Sequence, residues 1–170
     1  MKLLAPFLTL FCSPALAGPA AVPEPLEPWV AWALHDVDGV RCPVLDAARV
    51  CAWPGRLQLA LDDGGGTFSL SVRVDEEARL PLPGSVDHWP HDVTTDGRTA
   101  LLAHVGDVPH VVLAPGEHTV RGRFGWSRLP ESLPVPPAIA LLDLGVRGKA
   151  VAFPRRQADG MLWLQGSRTE

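Results

Sequence analysis

The chain has 170 residues, 15 Lys and Arg against 19 Asp and Glu, a formal net charge of −4 and 46% hydrophobic residues. That is about the length of one domain, with enough apolar side chains for a core. The acidic balance excludes the basic surface that a phosphate backbone requires, so nucleic-acid binding is not expected.

Residues 1–17 read as a secretory signal. Lys2 supplies a positive start, Leu3 to Cys12 is an apolar run broken only by Pro6 and Thr9, and Ala15-Leu16-Ala17 gives a small-x-small cleavage pattern. Cleavage is expected after Ala17. The run falls short of the roughly 20 residues that a bilayer requires. A lipoprotein signal ending at Cys12 is disfavoured by the bulky Phe11 before it. The expected location is therefore exported: periplasmic or outer-membrane-associated. No later segment carries an apolar run long enough to span a membrane, so no transmembrane segment is expected.

Residues 18–28 hold Pro19, Pro23, Pro25 and Pro28 and read as an extended, poorly packed Pro-rich linker or tether. Pro28 suits the first turn of a short helix. Trp29, Trp32 and Leu34 would share a face of it, and Gly39 would end it. Residues 29–170 are expected to form a single β-sandwich domain.

Cys42 and Cys51 are the even pair that remains once Cys12 leaves with the signal. In an oxidising compartment they are expected to bridge. Loop closure of that length contributes about 2.5–3 kcal/mol before strain. A zinc site would need two further ligands, and no Cys-x-x-Cys or neighbouring His pair supplies them.

From Arg56 onward the period is two. Leu57, Leu59 and Leu61 alternate with polar or small residues, Asp62 to Gly66 signals a turn, and Phe68, Leu70, Val72 and Val74 alternate again. This predicts a hairpin with those seven residues facing the core. Asp96-Gly97, Pro115-Gly116, Arg147-Gly148 and Asp159-Gly160 mark further turns between short strands. Strands at this spacing predict an all-β fold, an antiparallel, jelly-roll-like β-sandwich with at most one short N-terminal helix. Leu80 to Gly84 and Leu129 to Pro137 are too proline-rich for central strands and are expected at edges or crossovers.

Three segments carry a family resemblance: Pro28 to His35, Cys51 to Leu57, and Trp126 to Pro136. Together they resemble the N-terminal region of large, uncharacterised exported proteins of Gram-negative bacteria. The resemblance implies export, a β-rich domain and a longer envelope portion beyond it. It implies no reaction, cofactor or catalytic residue. A looser likeness, carried by Leu113 to Val120, is to galactose-binding-like jelly-roll domains.

Chemistry-bearing clusters are sparse. His88 and His91, flanked by Asp87 and Asp92, would serve a metal only if their loop curled, and a polar loop anchored by Trp89 is the expected reading. Asp36-Val37-Asp38-Gly39 resembles the start of a calcium loop without the closing ligands. Ser85, Ser127 and Ser132 lack a nucleophile elbow. No catalytic residue, metal site or cofactor is therefore expected.

Two functions from different classes remain. One is a non-catalytic envelope module that contacts further domains or a partner protein through Trp29, Trp32, Leu133 and Val135. The other is a carbohydrate-binding or carbohydrate-processing accessory domain. An exposed apolar patch would favour the first. A concave face with an aromatic ring beside Asp, Asn or Arg would favour the second. The chain has no Asn, and Gln58 is its one amide within the strand-rich middle, which favours the first.

Overall fold

The computed structural model describes residues 22–33, 35, 42–45 and 48–165. The expected signal, its cleavage bond and the start of the linker lie outside these residues, as do Leu34 and the Asp36-to-Gly39 motif. The chain divides into two compact units, Met1–Asp38 and Gly39–Glu170.

In the first unit a 3-10 turn over Glu24–Leu26 leads into helix α1 (Glu27–Ala33). Pro25 sits at the start of the turn, where a missing N–H costs nothing. The helix thus begins inside the stretch expected as linker, and it belongs with residues 1–38 rather than with the β domain. None of its residues is buried.

The second unit is all β. The short ribbon of β1 (Val44–Leu45) and β2 (Ala48–Arg49) precedes a long hairpin, β3 (Ala52–Asp62) and β4 (Gly65–Val74). Next come β5 (Ala78–Pro81), β6 (His91–Thr95), β7 (Arg98–Thr99), β8 (Leu102–Val105), β9 (Val108–Leu113) and β10 (Gly116–Gly125). The chain continues with β11 (Ser132–Pro134), β12 (Leu141–Val146), β13 (Lys149–Val151), β14 (Arg155–Arg156) and β15 (Met161–Trp163).

A seven-stranded sheet, in the order β13-β12-β3-β4-β10-β6-β7, forms one layer. Two three-stranded sheets, β5-β9-β8 and β11-β15-β14, share its core. Leu57, Leu59, Leu61, Phe68, Leu70, Val72 and Val74 are all buried, as their alternation requires. They meet Leu80, Val111 and Leu113 from one small sheet and Leu133 and Leu162 from the other. Gly122 permits close packing in the core: a Cβ there would collide with the Phe68 ring.

Strands β5 and β11, drawn from the two proline-rich stretches, each lie at the edge of a small sheet, where a missing N–H breaks no ladder. Asp96-Gly97 and Arg147-Gly148 form two-residue turns with positive φ at both positions, the twist that tight hairpins require. One pairing departs from the expected antiparallel sandwich. β12 lies parallel to β3, with Leu141 beside Arg56 and Val146 beside Leu61. Parallel strands need a long connection, and residues 63–140 supply it.

Candidate functional site

Cys42 and Cys51 are disulfide-bonded with Cα atoms 4.6 Å apart. The bridge encloses the β1–β2 ribbon and fixes the start of β3. Cys51 also accepts the backbone N–H of Asp75 at 2.8 Å, tying the bridge to the end of β4.

Immediately beyond, β3 carries a bulge. Its register against β4 shifts between Pro54 and Leu57, and the backbone N–H of Arg56 donates to Ser71 Oγ at 3.0 Å. The extra residue lets Ala52 before the bulge and Leu57 after it both reach the core. Trp53 is left on the outer face, opposite Arg73, which in turn lies opposite Glu117. The Trp53 indole N–H donates to Asp75 Oδ2 at 2.8 Å, and Arg73 Nε donates to Asp75 Oδ1 at 3.3 Å. Trp53 remains 37% exposed and helps line a concavity of about 530 Å³ with Ser71, Arg73, Glu117 and His118.

The outer face continues as polar rows. Asp143, Gln58, Ser69 and Arg121 follow one another across β12, β3, β4 and β10. A second concavity, of about 750 Å³, lies over them.

His118 closes the β10 end. Its Nδ1 is 2.7 Å from Asp96 Oδ2, and its Nε2 is 2.8 Å from the Ala114 carbonyl oxygen. Two acceptors on one imidazole call for two ring protons. The Asp96 carboxylate accordingly holds the His118 pKa above its ordinary value, against the desolvation that lowers it. The same contact, with the Thr119 N–H at 2.8 Å, holds Asp96 below the usual carboxylate range.

The four expected contact residues separate into two pairs. Trp29 and Trp32 are 62% and 76% exposed, with ring centroids 6.2 Å apart and nearly perpendicular planes. Leu133 and Val135 are fully buried in the domain's own core, so they cannot form a contact surface. The alternation of β11 and its pairing with β15 turn Leu133 inward against Leu162.

The other tryptophans are half-buried at the margins. Trp89 stacks on His104 with centroids 3.8 Å apart. Trp126 stacks on Phe124 and donates its indole N–H to the Asp62 carbonyl at 2.8 Å. Among the described residues, His88, His91, Asp87 and Asp92 do not enter any group of three or more that could share an ion. The trio that does converge, Cys42, Cys51 and Glu76, has its two sulfurs joined to each other.

Arg156 and the Asp96–His118 pair are invisible in the sequence. Arg156 donates to the carbonyl oxygens of Val135, Pro136 and Ile139, and its partial burial pushes its pKa down. The carbonyl partners of Arg156 lie 17 to 21 residues before it, and Asp96 and His118 lie 22 residues apart. Only the Asp96-Gly97 turn hinted at one member.

No known family model and no curated protein matches the chain. Among solved structures it is similar to the M1 zinc metallopeptidase from Deinococcus radiodurans. A mutant of that enzyme bound to a Tyr-Ser-Ala substrate aligns at 18% identity over 49% of this chain, with a TM-score of 0.34. Another structure of the enzyme aligns at 14% identity over 65% of this chain, with a TM-score of 0.35. This chain spans 21% and 37% of the length of those two chains, respectively.

Proposed function

We propose that this chain is an exported, non-catalytic envelope module that works by contact, with the Trp29–Trp32 pair as its docking surface for a partner protein. The observation that carries the reading is the exposed, edge-to-face tryptophan pair on a helix with no buried residue. Leu26, also exposed, extends the apolar stripe at helical spacing. Tryptophan is enriched at interface hot spots because it adds large area at low entropic cost. Glu24 and Glu27 precede the pair, and residues 22–33 contain no Lys or Arg. An acidic stripe is repelled by an anionic lipid surface, so the partner is a protein. The signal-like start and the Cys42–Cys51 bridge support export. No described helix is long and apolar enough to cross a membrane.

A photo-reactive phenylalanine analogue placed at position 29 or 32 of the full chain in its native envelope tests this. The expected result is a discrete protein adduct, identified by mass spectrometry and absent when the analogue stands at exposed position 159. An adduct pattern identical at all three positions overturns the proposal.

A further inference from the structure

We propose that the outer face of the seven-stranded sheet carries a binding site for a neutral pyranose oligosaccharide, with Trp53 as its stacking platform. The site is independent of the Trp29–Trp32 surface and shares no residue with it.

The first support is preorganisation. Trp53 is anchored at its edge by the hydrogen bond to Asp75, and Asp75 is itself held by Arg73 Nε and by the Cys51 carbonyl. The ring therefore does not need to be ordered on binding. The bulge at Gly55 explains why an indole stands on this face at all. A side chain at Gly55 would collide with Ser71 Oγ, so the sequence keeps the floor beside Trp53 low.

The second support is the polar complement. An apolar ring face beside directional donors and acceptors is the pattern that small-molecule sites use. Arg73 is 69% exposed on its side chain, with its terminal amino groups beyond the Nε–Asp75 bond. Glu117 lies directly opposite it on β10. A guanidinium and a carboxylate offer paired donors and paired acceptors in a plane, the geometry that adjacent sugar hydroxyls require. The absence of Asn thus does not deprive the site of planar polar groups.

The third support is size and charge. The concavity of about 530 Å³ lies within the range of about 300–1,000 Å³ typical of small-ligand sites. Two cationic side chains, Arg73 and His118, stand against three carboxylates, Asp75, Glu117 and Asp96. That balance repels an anion, and the stacking face with its paired donors and acceptors suits a neutral sugar. The polar row Asp143, Gln58, Ser69 and Arg121 continues from this point, which gives a chain of sugars further hydroxyl partners.

Calorimetric and NMR titrations of the folded protein test the inference, using a β-1,4-linked glucose tetramer and a β-1,4-linked N-acetylglucosamine tetramer as probes. The expected result is saturable binding of at least one probe, a shift of the Trp53 indole N–H resonance, and at least tenfold weaker binding in Trp53→Ala. Trp29→Ala should bind as the wild type does, which separates this site from the proposed protein contact. If Trp53→Ala fails to melt cooperatively, Arg73→Ala carries the test. No saturable binding of either probe, or binding unchanged in the folded variant, overturns the inference.

Discussion

Two segments of this protein are nearly alike in composition and opposite in placement. Residues 22–33 and 129–137 both mix proline with Leu, Val or Trp. The first exposes its large apolar side chains, and the second buries Leu129, Leu133 and Val135 completely. The difference lies in where the backbone polar groups go. In the first, the Leu26 N–H bonds the Pro23 carbonyl, and the turn and helix satisfy the backbone internally. In the second, proline prevents internal satisfaction, and partners come from elsewhere in the fold. The Leu129 carbonyl accepts from Gln165, Glu131 from the Leu164 N–H, Pro134 from the Gly84 N–H, and Val135 and Pro136 from Arg156. A proline-rich segment is buried only where the fold supplies such donors.

The sharpest way to break this contrast is Leu133→Ala. A fully buried leucine on β11 should cost about 2–5 kcal/mol, read by urea unfolding. A loss as small as that of a surface substitution would remove 129–137 from the core. Next in size is Arg156→Met, which keeps the apolar stem and deletes the donors. Leaving part-buried carbonyls unpaired should cost about 1–3 kcal/mol, and addition of arginine-free salt should not restore it, because the interaction is hydrogen bonding to neutral groups.

A smaller effect is expected at the Asp96–His118 clasp. The His118 pKa is raised in the fold, so its contribution is fully present below its ordinary value, about 6.5, and is lost as pH rises through the folded value. Asp96 is lowered, so its contribution is present above its ordinary value and lost as pH falls through the folded one. The stability gap between wild type and His118→Gln should therefore be widest between the two ordinary values, 3.8 for Asp96 and 6.5 for His118, and shrink on the acid and alkaline sides alike. A gap that is flat with pH in unfolding titrations counts against a charged clasp. Smallest of all, Trp29→Ala and Trp32→Ala should leave the unfolding free energy within about 0.5 kcal/mol, as for other surface positions. A larger loss would place the pair in a core.

Much of the β unit was legible in the sequence because its signals are local. The β3–β4 hairpin combines strict alternation with a glycine-rich turn, and all seven predicted inward residues are buried. The Cys42–Cys51 bridge followed from an even count. What was not legible depends on distant partners. Leu133 and Val135 look like an exposed, stiff ligand until β15 and Arg156 are brought beside them. Trp53 gave no hint of its outward position, because the bulge that places it depends on Ser71 of the next strand. The parallel partnership of β12 with β3 has no local signature at all.

That partnership has a kinetic consequence. The β3–β4 hairpin closes across a two-residue turn, whereas β12 can join β3 only after residue 141 finds residue 56. Contacts so remote in sequence raise contact order and slow the search, because loop closure precedes any gain from pairing. The hairpin should therefore acquire amide-exchange protection early in refolding and β12 late. Until it does, the β3 edge stands open, and that interval is when the chain is most prone to pair with another copy of itself.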